Sequence, residues 1–197
     1  MDVEAGLVAT KSLAIVYLAQ KRHQSYVGRD SMQLLNRSLA SLVPNYLWQH
    51  ADDTDVLLLH ETEFDEPSQA KVLEPYVGLP IKFVPIPSKY WSLPPWLASA
   101  NNNASAHHKK LPPHSRFLMP NWKQISHYTV GYRHMIRFFT LLLWDFMREL
   151  GYTYVMRMDE ESRLGSRVPF HFPSRMRREG VEYAYRQVSY ESGGAGN

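Results

Sequence analysis

Asp159-Glu160-Glu161 is the strongest chemical signal in the sequence: three acids directly after Tyr152–Met158, a stretch that reads as a β-strand. Acids past the carboxyl end of a strand stand where open α/β sheets bind their ligands. If the backbone stays extended, Asp159 and Glu161 point to one side and Glu160 to the other. Two carboxylates on one side can hold a divalent cation through hard oxygen ligands, and that cation can neutralise a diphosphate leaving group. The plainer alternative is a polar loop after a strand.

Other groupings carry less. His107, His108, His114, His127 and His134 match no standard metal-ligand spacing. Ser and His occur without a nucleophile-elbow context, and no glycine-rich phosphate loop follows the early strands. Arg163, Arg167, Arg175, Arg177 and Arg178 crowd one segment around Phe170, His171 and Phe172. That pattern is open to phosphate-backbone binding and base stacking, but it lacks an RNA-binding signature and also fits a solvated face. Asn36-Arg37-Ser38 and Asn103-Ala104-Ser105 are glycosylation sequons, which lean toward a secretory lumen.

The elements that must position the acids follow from pattern. Leu13–Ala19 is a continuous apolar run, suited to a buried parallel strand. After a possible cap at Asp30-Ser31, the residues Met32, Leu34, Leu35, Leu39, Leu42 and Val43 recur at helical spacing until Pro44 interrupts them. Asp55–His60 reads as a second buried strand. Lys82–Pro85 reads as a third at a sheet edge, since Pro cannot donate to a ladder. From Pro85 to Pro120 runs a Pro-, Asn-, Ser- and His-rich excursion too long for an ordinary connection. Tyr128–Leu150 is helical again, and Gly151 suits the residue after its cap. Strands alternating with helices predict an α/β domain over residues 11–192, with flexible ends at 1–10 and 193–197.

Composition narrows the class. A chain of 197 residues fits one domain or two small ones, and 44% hydrophobic with 13% aromatic residues excludes an intrinsically disordered chain. There is no Cys, so neither disulfides nor thiolate metal sites apply. The net charge of +3 is mildly basic and decides nothing alone. The longest nearly apolar stretch, Phe138–Trp144, is far short of a bilayer crossing, and Met1-Asp2-Val3-Glu4 is acidic where a signal peptide is basic.

Several segments, in order, resemble the fungal α-1,2-mannosyltransferases, glycosyltransferase family 15, which have a GT-A fold. Ile86-Pro87-Ser88-Lys89-Tyr90-Trp91-Ser92-Leu93-Pro94-Pro95-Trp96 is similar to the family's I-P-K-E-H-W-S-Y-P-x-W, and Tyr132-Arg133-His134-Met135-Ile136-Arg137-Phe138 to its Y-R-H-M-C-R-F. Tyr152–Glu161 follows at the family's spacing, where it has Y-W-R-V-E-P-D. Phe64-Asp65-Glu66-Pro67 lies near its N-D-E-P-F turn, and Tyr183–Glu191 resembles Y-G-F-T-x-S-x-x-E. The Trp-Ser-x-Pro-x-Trp and Tyr-Arg-His-Met-x-Arg-Phe segments are the specific ones, and the resemblance covers residues 13–191 patchily.

The resemblance implies a GT-A-like, Rossmann-related domain that takes a nucleotide-diphosphate sugar. The implied reaction moves mannose from GDP-mannose to a mannose hydroxyl of a glycan or glycoprotein, with retention and a Mn²⁺ ion, in the Golgi lumen. Asp159 takes the place of the metal-associated Glu of E-P-D and Glu161 that of its final acid. Tyr132 and Arg157 align with positions lining the donor and acceptor pocket. The family's domain continues past the position of Asn197, so the resemblance predicts an incomplete chain of weak activity, with the catalytic carboxylates beyond it. Its membrane anchor is also absent from this sequence, and nucleic acid is not an expected partner. The departures are Asp-Glu-Glu for Glu-Pro-Asp, Gln20-Lys21 for Arg-Asn after the first strand, and Thr140-Leu141 for Ser-Gly. They make glycosyl transfer a safer reading than the identity of the sugar. A GT-A transferase with another donor and a non-catalytic descendant are the neighbouring alternatives.

Overall fold

The computed structural model describes residues 11–21, 31–61, 64–92 and 130–185, without the side chains of 130–133. The histidines at 107, 108, 114 and 127, the second sequon, the excursion past Ser92 and both expected flexible ends lie outside the described residues.

Among the described residues, four parallel strands form one sheet in the order β3-β2-β1-β4: β1 (Leu13–Leu18), β2 (Thr54–His60), β3 (Ile81–Pro85) and β4 (Tyr154–Arg157). β1 and β2 are apolar runs because both of their faces are covered. Alternation divides them. Leu13, Ile15, Tyr17, Val56 and Leu58 face one core, whereas Ala14, Val16, Leu57 and Leu59 face the other. The first core is closed by α1 (Ser31–Leu42) through Leu35, Leu39 and Leu42, with Val72 from α3 (Glu66–Leu73). Tyr90 of α4 (Ser88–Trp91) closes the second, together with the long helical stretch built from α5 (Val130–Arg137), a π turn (Phe138–Leu142) and α6 (Leu143–Glu149).

Pro44 does not end the first helix, contrary to the sequence pattern. The chain widens into a π turn, Val43–Leu47, and continues as α2 (Trp48–His50). Proline has no N–H to donate and its ring presses on the carbonyl four residues back; one wider turn relieves both. Tyr46 and Leu47 therefore stay in register with the core and are fully buried. Pro85 does fall on an outer strand, at the end of β3 opposite His60. The helix before β4 ends at Gly151 (φ 89°): the Gly151 N–H donates to the Arg148 carbonyl and the Tyr152 N–H to that of Met147, the double bond of a left-handed glycine cap. A further helix, α7 (Phe172–Glu179), follows an irregular segment after β4.

The amino edge of the sheet carries a buried ionic knot. Asp55 accepts from the Tyr152 hydroxyl at 2.6 Å and the Lys82 ammonium at 3.0 Å, and lies 3.3 Å from Lys11. Burial would raise this carboxyl, but the bonds from Tyr152 and Lys82 and the nearby positive charges outweigh it and hold the group below its ordinary value.

Candidate functional site

The chain steps outward from β1 to β3, then crosses back to place β4 on the other side of β1. That reversal leaves a crevice beyond the carboxyl ends of β1 and β4, where open α/β sheets bind ligands. Two short segments line it, Ala19-Gln20-Lys21 after β1 and Met158–Glu161 after β4. They are tied together by the Met158 N–H on the Val16 carbonyl (2.9 Å) and by the Gln20 N–H on Glu160 Oε1 (2.9 Å).

Arg157 is the last residue of β4, with its guanidinium 4.0 Å above the Phe139 ring. Its Nε and a terminal nitrogen both donate to Asp159 Oδ1, at 3.1 and 2.7 Å. The two side chains are 39% and 60% exposed, so the pair is open to an incoming ligand. The strand does not run on through the acids. The Ser162 N–H donates to the Asp159 carbonyl at 2.8 Å, and Glu160-Glu161 form the corner of that turn. Strand alternation therefore does not place Asp159 and Glu161 on one side, because both stand in a turn. Glu161 is exposed on the corner. Tyr132 is in the first half of α5, at the end of the helix on the carboxyl edge of the sheet, and its side chain lies outside the described residues.

Among the described residues, no three His, Asp or Glu side chains converge as a metal cage. The acidic turn offers hard oxygen donors from two residues. That donor set fits a cation bound jointly with a diphosphate, as Mg²⁺-like ions are, and does not fit a cation held by protein alone. Beside the crevice, Lys21, Met32, Ser68 and Lys71 line a shallow depression of about 330 Å³.

The family-like segments have structural work of their own. The Ser92 carbonyl accepts from Arg137 at 3.1 Å and lies 3.2 Å from His134 Nε2, while the Trp91 ring packs on His134 at 4.8 Å and edge-on to Phe138 at 5.2 Å. The Trp-Ser and His-Met-x-Arg-Phe segments thus bind each other. Asp65 of the acidic Phe-Asp-Glu-Pro turn caps α3, its carboxylate accepting from the Ser68 N–H at 3.1 Å.

In the arginine-rich segment, the aromatic residues are engaged within the fold. Phe172 packs on Tyr46 (4.9 Å), His171 on His50 (5.4 Å), and Arg175 covers Phe170 (4.4 Å). Arg175 and Arg178 share Glu179. No stacking platform for bases results: the segment leaves the acidic turn at Arg163, and its aromatic part reaches the amino edge, where His171 faces Asp53 and Arg177 covers Tyr154.

Sequence patterns missed Glu160 as the bridge to β1, and the Lys21–Lys71 depression. Neither has a periodic signal: each arises where separate loops meet.

A parallel sheet in the order 3-2-1-4 with an acidic turn at its reversal point is an open α/β architecture, and the fold is that of the GT-A type. Among the solved structures that it resembles are mannosyltransferases. Ktr4p from S. cerevisiae matches at a TM-score of 0.62 and 14% identity, over 89% of this chain and 39% of that one. The same enzyme in complex with GDP matches at 0.59 and 12%, over 89% and 40%. Core-mannan synthase A (CmsA/Ktr4) from Aspergillus fumigatus, in its Mn/GDP form, matches at 0.61 and 14%, over 87% and 41%. The chain thus spans about two fifths of the length of these structures. No protein-family model matches the sequence, and no curated protein matches it either.

Proposed function

We propose that this chain is the donor-binding part of a glycosyltransferase that transfers mannose from GDP-mannose, in α-1,2 linkage and with retention, to a mannose-bearing glycan or glycoprotein in the Golgi lumen. The observation that carries the reading is the position of the acidic turn, at the sheet's reversal point, in a fold shared with two GDP-bound mannosyltransferases.

Asp159 and Glu161 would hold Mn²⁺ together with the donor's diphosphate oxygens. The ion would supply the positive charge that favours departure of the nucleoside diphosphate. Arg157, kept in place by Phe139 and Asp159, adds a fixed guanidinium beside that charge. A cation so placed stabilises charge that grows as the glycosidic bond breaks, and it does so without reorganising. Lys21 and Lys71 make the adjoining depression favourable for an anionic ligand. Tyr132, carried toward the same edge by α5, is assigned to the donor and acceptor pocket.

The test is calorimetric titration of GDP-mannose, GDP and UDP into the chain, with and without Mn²⁺, beside Asp159→Ala. The expected result is Mn²⁺-dependent binding that prefers guanine nucleotides and weakens at least tenfold in the variant. Equal binding by the folded variant would refute the assignment of the acidic turn, and a preference for UDP would move the reading to a different donor.

A further inference from the structure

The irregular segment after the acidic turn has no strand or helix to satisfy its backbone, yet its polar groups are met one after another by α1 and its π extension. The Ser38 hydroxyl donates to the Ser162 carbonyl at 2.5 Å, and Ser41 Oγ accepts from the Leu164 N–H at 3.2 Å. Asn45 Nδ2 donates to the Leu164 carbonyl at 2.9 Å, and the Asn45 carbonyl accepts from the Val168 N–H at 2.8 Å. Residues 38, 41 and 45 share one helix face by their spacing. Ser and Asn are poor helix formers and poor core residues, so packing alone would favour Ala or Leu there. Their common property is the ability to bond to another backbone.

Ser38 is the innermost of the row, with no exposed surface. Its oxygen also lies 2.9 Å from the Tyr17 hydroxyl on β1. Ser38 has one proton and gives it to Ser162, so in their 2.9 Å contact Ser38 accepts and Tyr17, whose hydroxyl also lies 3.4 Å from the weak acceptor Met158 Sδ, donates. Burial pushes the Tyr17 phenol up to about 12, which keeps that donor protonated. The result is a directed chain from the central strand through α1 to Ser162, the residue whose N–H closes the turn on Asp159. The Ser of the sequon Asn36-Arg37-Ser38 is therefore a buried structural hydroxyl.

We propose that the Ser38–Ser41–Asn45 row is a positioning element that fixes the acidic turn for cation binding, with Ser38 as its principal residue. This rests on the donor-site reading above. Ser38 does not touch the ligand. It sets the place of the Ser162 carbonyl and, through the turn, the place of the Asp159 and Glu161 backbone. Ligand sets that must be held to within about half an ångström depend on such supporting bonds.

The experiment measures the Mn²⁺ concentration at half-saturation, at fixed GDP, for the wild-type chain, Ser38→Ala and Leu39→Val. Leu39 is equally buried on the same helix but packs in the apolar core, so its variant controls for lost stability. Ser38→Ala is expected to raise the half-saturating Mn²⁺ about tenfold, with binding restored at high Mn²⁺, and Leu39→Val to leave it within twofold. An unchanged value in Ser38→Ala, or an equal rise in Leu39→Val, overturns the positioning role while the donor site stands. Absence of Mn²⁺-dependent GDP binding in the wild type overturns the donor-site reading and this inference with it. If Ser38→Ala fails to fold, the half-buried Ser41 carries the test: Ser41→Ala is expected to raise the value about threefold, and no rise overturns the proposal.

Discussion

The two edges of the sheet use the same residue types to opposite ends. At the amino edge Asp55 is buried among Tyr152, Lys82 and Lys11, and Asp53 accepts from the backbone and hydroxyl of Ser12 while facing His171 at 3.5 Å. At the carboxyl edge Asp159 meets Arg157 in the open, more than half exposed. A buried carboxylate must have its partners, and removing them leaves a desolvated charge; an exposed one trades its partner for water at little loss. The amino edge is thus committed to stability, and the carboxyl edge is available to a ligand.

The sharpest way to break this contrast is substitution of the two acids. Asp55→Ala should lower the unfolding free energy by roughly 3 kcal/mol, since it strands the buried Tyr152 hydroxyl and two lysines. A loss below about 1 kcal/mol in urea titration would mean that the knot is dispensable. Asp159→Ala should change stability by under about 0.5 kcal/mol, as an exposed pair predicts, while removing Mn²⁺-dependent GDP binding. A large stability loss there would place the carboxyl edge in the structural class as well.

Acid should act on the buried histidines, His60 at the carboxyl end of β2 and His50 with His171 at the amino edge, all held low by burial. The rings of His50 and His171 lie 5.4 Å apart, and the Nε2 atom of each is buried without a hydrogen bond. Burial holds both below the ordinary value of 6.5, against the opposing pull of the Val168 backbone on His50 and of Asp53 on His171; Arg167 and Arg177 add to the lowering. The unfolded chain therefore takes up protons first as pH falls, and stability declines below pH 6.5 until the folded imidazoles protonate. Denaturant midpoints should drop as pH falls below about 6.5, and His171→Gln should flatten that slope. An unchanged slope would show that the pair does not titrate on unfolding. The smallest effect is expected at Phe139→Leu, which removes the ring under Arg157 and should lose about 0.5–1 kcal/mol of local ordering. It should be read as a weaker Mn²⁺-GDP affinity, beside a modest drop in melting temperature from the core packing that the buried ring gives up.

Much of the α/β order was legible from single residues. The runs at 13–19 and 55–60 announced buried strands because both faces must be covered, and Pro85 announced an edge because it lacks a donor. Gly151 announced a helix end for its positive φ. Pro44 misled: its local conflict with an α-helix is real, but Tyr46 and Leu47 in the core make a π turn the better solution. In the site, the acids were visible because they follow a strand, whereas their turn was not, since it has no period.

The sequence alone determined which strands are interior, where the helices face them and that acids follow β4, because periodicity and burial are properties of contiguous residues. Only the tertiary structure decided that β4 crosses back beside β1, that Glu160 reaches Gln20, and that Ser38 stands between Tyr17 and Ser162. Those pairs lie 140, 21 and 124 positions apart, and no local propensity specifies which distant polar groups will satisfy each other. The packing of the whole sheet makes that choice, by bringing their backbones within reach.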